Sequence, residues 1–317
     1  MYRKKEIEFD STNLVNRVKG IIYIPENKEI KGILQICHGM CEYIDRYSDF
    51  AKYLCENGYI VCGHDHVGHG KSSTSEQYGY FSEEKGWQVL IDDLYKFTRV
   101  IKDMYPQYPI YLLGHSMGSF IARLYASYFP GSIDGLIISG TGAANPGAKV
   151  GITLCNIMSK QKGSMYRSEK INKIAFGNFN NRYSDKRTEY DWLSRDTTVV
   201  DKYMKDDMCM FTFTLSGFRD LFTLNSKANE STTFNNTRND IPIFIFSGDM
   251  DPVGDYGKGV TKVYDKYLSS GKTDLTLRLY REGRHEMLNE INKEEVYIDV
   301  LSWLNEKTAK IIADKKD

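Results

Sequence analysis

A serine in a tight turn between a predicted strand and a predicted helix is the feature that most restricts the fold of this chain. The apolar run Ile110–Leu113 predicts a buried strand, and Gly114-His115-Ser116-Met117-Gly118 follows it directly. The residues from Ser119 to Ala126 then predict a helix. In this context a Gly-x-Ser-x-Gly turn is typical of a nucleophile, because it exposes the serine hydroxyl at the helix N-terminus. The alternative is a tight turn whose serine only caps the helix.

His285 is the histidine that the position of Ser116 singles out as a base. A serine hydroxyl is a weak nucleophile unless a base takes its proton and an acid orients that base. With a nucleophile turn of this kind, the chain order is serine, acid, histidine. Of the six histidines only His285 lies beyond Ser116, in a loop after the strand-like run Leu275–Tyr280. The alternative is an ordinary histidine in a surface loop.

Two aspartates compete for the role of the acid. Both follow the apolar run Ile241–Phe246, which predicts a buried strand. Asp251 precedes Pro252, which favours an extended backbone and lets the carboxylate reach out from the strand end. Asp249 directly follows a glycine, a position typical of local turn hydrogen bonds. We therefore predict Asp251 as the acid.

The oxyanion that forms during ester cleavage needs two backbone N–H donors. One is predicted to come from Met117, directly after the nucleophile, and the other from the loop after an early strand. The run Ile33–Cys37 predicts that strand, and Met40 in the following loop is the predicted second donor. His38 is expected to support this loop through hydrogen bonds rather than to act as a base.

Three segments together give the chain a specific resemblance. They are His38-Gly39-Met40-Cys41-Glu42, His64-Asp65-His66-Val67-Gly68-His69-Gly70-Lys71-Ser72 and Leu113-Gly114-His115-Ser116-Met117-Gly118. They closely resemble the monoacylglycerol lipase and lysophospholipase branch of the α/β-hydrolases, and the motifs follow the family order from about residue 30 to 290. The resemblance implies the same triad and oxyanion donors as the residues themselves suggest.

The resemblance also implies residues around the substrate. Glu42 and Arg46 stand where the family has a glutamate and an arginine that order the polar side of the pocket. Cys41, Tyr43 and Ser119 replace a usual glycine, histidine and glycine. These departures bear on head-group preference rather than on catalysis.

The fold implied is an α/β-hydrolase. Residues 5–24 predict two antiparallel strands with a turn near Asn13. Further predicted strands cover 32–37, 59–65, 110–115, 134–139, 241–247 and 274–280, and predicted helices cover about 45–57, 87–104, 256–270 and 292–312. This alternation predicts a mostly parallel sheet with helices on both faces. Residues 1–142 and 241–317 would form the core, and residues 143–240 a mainly helical cap inserted after the sixth core strand.

The predicted cap is rich in methionine and phenylalanine, which suit an adaptable apolar surface. We expect at least three of these side chains to line an acyl tunnel, although most would simply pack between cap helices. The candidates are Met158, Met165, Phe176, Phe179, Met204, Met208, Met210, Phe211, Phe213, Phe218 and Phe222.

A metal site is the alternative interpretation of the histidines after the strand at 59–65. His64, His66 and His69 have a spacing that can bind zinc. Metallohydrolase loops of this kind carry an aspartate directly before the last histidine, and Gly68 occupies that position. A structural turn is therefore favoured, and no metal or other cofactor is expected.

Composition excludes several classes of partner. Lys+Arg and Asp+Glu both total 42, so the net charge of +0 leaves no electrostatic footprint for nucleic acid. No apolar run approaches the length of a membrane span, and no secretory signal is visible. The six cysteines form no C-x-x-C pair, which favours reduced thiols in the cytoplasm. Cys41, beside the oxyanion loop, is expected to be open to modification.

The function predicted is a serine ester hydrolase. It would cleave the carboxylic ester of a small lipid, a monoacylglycerol or a lysophospholipid, through an acyl-enzyme on Ser116. The alternatives are a short-chain carboxylesterase, a related peptidase that holds an amine through Glu42, and a non-catalytic binding protein of the same fold. No stable membrane insertion is expected, only transient contact through the cap.

Overall fold

Eight strands form one sheet within residues 1–184 and 186–314, the part of the chain that the computed structural model describes. The strands are β1 (Tyr2–Asp10), β2 (Arg17–Pro25), β3 (Gly32–Cys37), β4 (Tyr59–His64), β5 (Ile110–His115), β6 (Gly135–Ser139), β7 (Ile243–Gly248) and β8 (Leu275–Tyr280). They lie in the order β1-β2-β4-β3-β5-β6-β7-β8. β2 is antiparallel to β1 and β4, and all other neighbours are parallel.

Helices cover both faces of this sheet. They are α1 (Ser48–Glu56), α2 (Gly86–Met104), α3 (Met117–Tyr128), α4 (Ala148–Lys162), α5 (Glu169–Phe176), α6 (Thr197–Tyr203), α7 (Leu215–Ala228), α8 (Ser231–Asn236), α9 (Lys258–Ser269) and α10 (Lys293–Asp314). One apolar cluster packs α2, α3 and α9 on one face, and a second packs α1 and α10 on the other. The prediction of a mostly parallel sheet covered on both faces is confirmed.

Element boundaries differ from the sequence prediction where the backbone has a specific constraint. β7 begins at Ile243 rather than at residue 241, because Pro242 has no N–H to donate to the sheet. α9 begins at Lys258 rather than near residue 256, because Asp255 and Tyr256 both have a positive φ, 48° and 56°. The helix expected from about residue 45 starts as a 3₁₀ turn, Ile44–Tyr47, before α1.

The segment between β6 and β7 carries α4 to α8. α4 packs against α7, and α7 packs against α3, the helix that follows the serine turn. The Thr214 hydroxyl, at the start of α7, donates to Gly79 O at 2.8 Å, which fastens the segment to a core loop. The inserted helices therefore pack on the core through α3 and the loop at Gly79.

Within residues 1–184 and 186–314, no helix is both long enough and apolar enough to cross a membrane.

The histidines after β4 pack on one another beneath the oxyanion loop. The rings of His38 and His66 lie 4.1 Å apart, and His69 stacks on Phe81 at 5.8 Å. The His66 N–H donates to His38 Nε2 at 2.9 Å, so His38 Nδ1 carries the proton and donates to Gly39 O at 2.8 Å. His38 thus supports the loop, as expected. Among the described residues, no three His, Cys, Asp or Glu side chains are arranged to hold a metal ion.

We expect His64→Leu to stabilise the protein at acid pH. Both ring nitrogens of His64 are buried with no hydrogen-bond partner in the described part of the chain, and burial holds its pKa well below the usual value. The folded protein keeps this ring neutral, whereas the unfolded chain protonates it below about pH 6.5, so stability falls as pH falls. His64→Leu should therefore raise the free energy of unfolding by about 1.4 kcal/mol more at pH 5.5 than at pH 7.5.

Urea unfolding at the two pH values measures this gain. Ile60→Val on the same strand, which carries no titrating group, is the control and should change stability equally at both pH values. An equal effect of His64→Leu at pH 5.5 and pH 7.5 would contradict the assignment of a buried neutral ring.

Candidate active site

Ser116 occupies a strained turn between β5 and α3. Its φ of 54° and ψ of −121° lie where residues other than glycine are rarely found. Its N–H donates to Ser139 O at 2.9 Å, and its carbonyl accepts from the Ser119 N–H at 2.9 Å. The predicted strand, turn and helix are therefore confirmed. Such strain persists only where the surrounding structure holds it, which is typical of a functional site.

Gly114 and Gly118 allow this turn because the backbone passes very close to them. A Cβ on Gly118 would lie 2.1 Å from Cys37 O, at the end of β3. A Cβ on Gly114 would lie 2.4 Å from Gly118 O. Both contacts are with backbone atoms that have no room to move, so both positions require glycine.

His285 and Asp251 form a buried pair beside this turn. His285 Nδ1 lies 3.0 Å from both carboxylate oxygens of Asp251. The carboxylate also accepts from the Ser247 hydroxyl at 2.7 Å and from the Val253 N–H at 2.9 Å. Burial disfavours charge on both groups, but their mutual attraction outweighs it. The pKa of His285 is therefore raised and the pKa of Asp251 lowered.

Asp249 is engaged elsewhere. Its N–H donates to Tyr280 O at 3.0 Å, and its carboxylate accepts from the Glu282 N–H at 2.7 Å. Both partners lie at or just beyond the end of β8, and not within the local turn that the position of Asp249 after a glycine suggests. The structure therefore pairs Asp251, and not Asp249, with His285.

A cavity of about 820 Å³ brings the predicted residues together. Ser116, His285, Met40 and Met117 all line it. His115, the neighbour of Ser116, has its ring 4.7 Å from the His285 ring. The serine turn and the histidine loop thus meet at one wall of the cavity.

The loop after β3 lies against the serine. A Cβ on Gly39 would come within 3.0 Å of Ser116 Cβ. Met40 follows in this loop, and Cys41 has a positive φ of 54°. Met117 is the first residue of α3, where backbone N–H groups have no partner within the helix. This arrangement leaves two backbone segments beside Ser116 that can present N–H groups to an oxyanion.

Glu42, Arg46 and Glu286 form a buried ionic cluster behind the cavity wall. Arg46 donates to Glu286 at 2.8 and 2.7 Å and to Glu42 at 3.2 Å, and the Tyr203 ring lies 5.1 Å from its guanidinium. Glu42 also accepts from the Tyr47 hydroxyl at 2.9 Å and from the Gly39 N–H. Glu42 and Glu286 line the cavity, and Arg46 lies behind them.

One arginine faces two carboxylates in this cluster, so the cluster carries an excess negative charge only when both carboxylates are ionised. Burial raises the pKa of Glu42 to about 7, although Arg46 counteracts it in part. Burial also opposes charge on Glu286, but the bidentate Arg46 keeps its pKa below the usual value. Arg46 itself is held charged. Near neutral pH, Glu42 is therefore the cluster member that exchanges a proton.

Phenylalanines, and not methionines, of the inserted segment line the cavity. Phe176, Phe179, Phe211 and Phe222 contribute to its wall. Phe213 and Phe218 are fully buried in the packing of the inserted helices instead. Within residues 143–184 and 186–240, none of the methionines is part of the lining. The phenylalanines of the inserted segment were therefore a better indication of the cavity lining than its methionines.

Cys41 differs from expectation. It lines the cavity, but its side chain is buried and its Sγ donates to Phe211 O at 3.3 Å. Burial raises its pKa well above the usual value. Because the thiolate is the reactive form, this thiol is poorly suited to modification.

Two site residues escaped sequence reasoning. The Trp192 carbonyl accepts from the His285 N–H at 3.3 Å, and the Trp192 ring lies 5.1 Å from the imidazole. Glu286, the residue after His285, binds Arg46 through two hydrogen bonds that are shorter than the one from Arg46 to Glu42. No local sequence pattern indicates either role, because Trp192 lies about 90 residues from His285 and Arg46 lies 240 residues from Glu286.

We expect kcat/KM for ester substrates to rise with pH through a midpoint above pH 6.5. The free histidine must be neutral to accept the serine proton, and the pKa of His285 is raised. Initial rates with p-nitrophenyl butyrate between pH 5 and 9 measure the profile. Glu42→Gln removes a cavity-lining group whose pKa is raised to about 7, and the midpoint should persist in this variant. A midpoint below pH 6 would contradict the assignment.

Comparison with known proteins identifies the family. A family model described as "Serine aminopeptidase, S33" matches residues 28–292. The chain belongs to this family. It is an α/β-hydrolase of the serine hydrolase class, which confirms the fold and the family resemblance predicted from sequence.

Several individual proteins are similar to this member of the family over most of its length. Monoglyceride lipase of Rattus norvegicus is 27% identical over 285 residues, which are 88% of this chain and 84% of the relative. A highly thermostable carboxyl esterase from Bacillus coagulans, solved with glycerol, superposes with a TM-score of 0.90 at 29% identity and covers 97% of this chain. All of that esterase chain is matched. An open form of a lipase has a TM-score of 0.87 at 26% identity, covering 96% and 99%.

Proposed function

We propose that this hydrolase cleaves the ester bond of monoacylglycerol through an acyl-enzyme on Ser116. The observation that carries the proposal is the single cavity that joins Ser116 and the Asp251–His285 pair to a wall of phenylalanines. A nucleophile, a base and an apolar wall in one space suit an ester with a fatty chain. The names of the rat relative and of the two solved structures are in keeping with this class of substrate.

The reaction follows from the roles of these side chains. Ser116 Oγ attacks the ester carbonyl while His285 takes its proton, and the N–H groups of Met40 and Met117 bind the oxyanion. Asp251 stabilises the imidazolium, which then gives the proton to the leaving alcohol. Water, activated by His285, releases the fatty acid from Ser116. No metal or cofactor takes part in these steps.

In this proposal, residues 1–142 and 241–317 form the catalytic core and residues 143–240 form the cap. The phenylalanines of the cap wall would hold the acyl chain. Each methylene buried there contributes about 0.8 kcal/mol, or roughly a fourfold gain in kcat/KM, until the cavity is filled.

Charge at the polar end favours a neutral head group. Glu42 and Glu286 line the cavity beside the reacting serine, and Arg46 is already shared between them. When Glu42 is ionised, the excess negative charge of the pair would repel the phosphate of a lysophospholipid, whereas glycerol hydroxyls can donate to carboxylates.

The test is hydrolysis of p-nitrophenyl esters from C2 to C16, beside 1-monoacylglycerol and lysophosphatidylcholine, with Ser116→Ala as control. We expect serine-dependent turnover that rises with chain length and favours monoacylglycerol. Turnover of only the shortest esters would instead indicate a general carboxylesterase. Absence of turnover together with absence of fluorophosphonate labelling would indicate a binding protein.

Transient membrane contact through the cap is part of the same proposal. Residues 143–184 hold seven basic side chains against one acidic side chain, namely Lys149, Lys160, Lys162, Arg167, Lys170, Lys173 and Arg182 against Glu169. Val150, Ile157 and Ile174 are exposed in this segment. Basic and apolar side chains together suit an anionic lipid surface. Co-sedimentation with phosphatidylglycerol vesicles, reduced by Ile157→Ser with Ile174→Ser, tests this contact.

A cytoplasmic location completes the proposal. The six cysteines are free and buried in the described structure, which supports a reducing compartment.

A further inference from the structure

A chain of buried polar side chains leads from Arg123 to the backbone of the serine turn. Arg123, Ser119 and Thr141 are all fully buried. Ser119 Oγ lies 2.6 Å from Ser116 O and 2.9 Å from Thr141 Oγ1, and Arg123 Nη1 lies 3.3 Å from Thr141 Oγ1. These residues are separate from the Asp251–His285 pair and have no part in the reaction steps above.

Hydrogen-bond chemistry fixes the direction of this chain. A carbonyl can only accept, so the Ser119 hydroxyl proton points to Ser116 O. The Thr141 hydroxyl must then donate to Ser119 Oγ, because Ser119 has no second proton. A guanidinium can only donate, so Arg123 donates to Thr141 Oγ1. All protons therefore point one way, from the positive charge towards Ser116 O.

The carbonyl at the end of this chain belongs to an important amide. Ser116 C=O and Met117 N–H are the two halves of one planar peptide group. A hydrogen bond to the oxygen orients that plane and also draws electron density from the nitrogen, which strengthens the N–H as a donor. The Met117 N–H is the proposed oxyanion donor.

We propose that Arg123, Thr141 and Ser119 are positioning residues that orient and polarise the Met117 N–H for the oxyanion. The inference rests on the proposed function, since it concerns the same nucleophile. Serines in the first turn of a helix often bond back to a carbonyl with no further consequence. Here the Ser119 hydroxyl also accepts from the Thr141 hydroxyl, which in turn accepts from the buried Arg123 guanidinium. A serine that only bonds back to a carbonyl needs neither of these partners.

The surroundings of Arg123 keep its charge effective. Nη2 donates to Ala228 O at 2.5 Å and to Asn229 Oδ1 at 3.1 Å, and Nη1 also lies 3.4 Å from Gly142 O. These described acceptors are neutral, so no carboxylate among them cancels the positive charge. Gly142 precedes the inserted segment and Ala228 ends α7, so the arginine also connects the insert with the serine turn.

Two conservative variants test the proposal while leaving the contacts of Arg123 with Gly142, Ala228 and Asn229 in place. Ser119→Ala and Thr141→Val each remove one hydroxyl from the chain, and Thr141→Ser is the matched control that keeps it. We measure kcat and KM for p-nitrophenyl butyrate, and the inhibition constant of an aliphatic trifluoromethyl ketone, which forms an oxyanion when Ser116 adds to it. Thermal unfolding identifies any variant that does not fold.

Ser119→Ala and Thr141→Val should each lower kcat about tenfold with little change in KM. This loss in kcat is smaller than the factor of 10²–10³ that loss of an oxyanion donor itself costs. The trifluoromethyl ketone should bind more weakly by the same factor. Thr141→Ser should behave like the wild type, and the pH midpoint set by His285 should stay in place in every variant. An effect on stability alone would not produce this pattern.

If folded Ser119→Ala had the same kcat and inhibitor affinity as the wild type, the proposal would be overturned. Ester turnover by the wild-type enzyme in the same assay would leave the proposed function intact. A loss in Ser119→Ala but not in Thr141→Val would overturn the part of the chain beyond Ser119. A wild-type enzyme with neither turnover nor fluorophosphonate labelling would instead overturn the proposed function itself.

Discussion

Ser116→Ala should lower kcat for ester hydrolysis by about 10⁵- to 10⁶-fold while the protein stays folded. The variant loses only the nucleophilic oxygen, since the turn is held by backbone hydrogen bonds to Ser139 and Ser119 that alanine preserves. Residual catalysis from the oxyanion donors and from binding would remain. Initial rates with p-nitrophenyl octanoate, at enzyme concentrations high enough to detect this residue of activity, measure the loss.

Ser127→Ala is the matched control, because it also replaces a serine by alanine and lies in α3, the helix that follows Ser116. Its hydroxyl is buried and has no hydrogen-bond partner in the described part of the chain. We expect near wild-type rates for this variant. If Ser116→Ala kept more than about 1% of the wild-type rate, a different nucleophile would be required, since a lost nucleophile costs far more.

Asp251→Asn should lower kcat by about 10⁴-fold. Asp251 accepts the Nδ1 proton of His285, which leaves Nε2 free to accept a proton from the serine. An asparagine amide can donate to Nδ1 and stabilise the tautomer that carries its proton on Nε2, and that tautomer cannot act as the base. The loss of the carboxylate should also lower the pKa of His285.

Asp249→Asn is an unusually close control for this variant. It lies two residues away in the same loop, carries the same chemical change, and accepts only from the Glu282 N–H among its described contacts. Its rate should stay within about twofold of the wild type, as expected for a surface turn residue. The reverse pattern, with Asp249→Asn inactive and Asp251→Asn active, would exclude the Asp251–His285 pair.

The parts of this site that sequence predicted are those fixed by local rules. The serine turn follows from five consecutive residues and the elements that flank them. Chain order then left only His285 as the base, and the proline after Asp251 separated it from Asp249. Each of these inferences needed only the neighbours of one residue or the order of a few residues along the chain. The structure brings Ser116 and His285 to one cavity and pairs His285 with the buried Asp251.

The parts that sequence did not predict depend on contacts between distant segments. Arg46 meets Glu286 across 240 residues, and Arg123 meets Asn229 across 106. An arginine in a helix is ordinarily expected on the exposed face, because arginine is almost never fully buried without a partner. Only the approach of the insert to α3 shows that the guanidinium is enclosed by carbonyl oxygens.

Covalent labelling of the enzyme is the sharpest test of Ser116 as the nucleophile. The enzyme is titrated with an alkyl fluorophosphonate, the adduct is located by peptide mass spectrometry, and monoacylglycerol turnover is followed in the same samples. We expect one adduct per chain, on Ser116, with turnover lost in proportion to labelling. Turnover that persists in fully labelled enzyme, or an adduct on another residue that accounts for the loss, would contradict it.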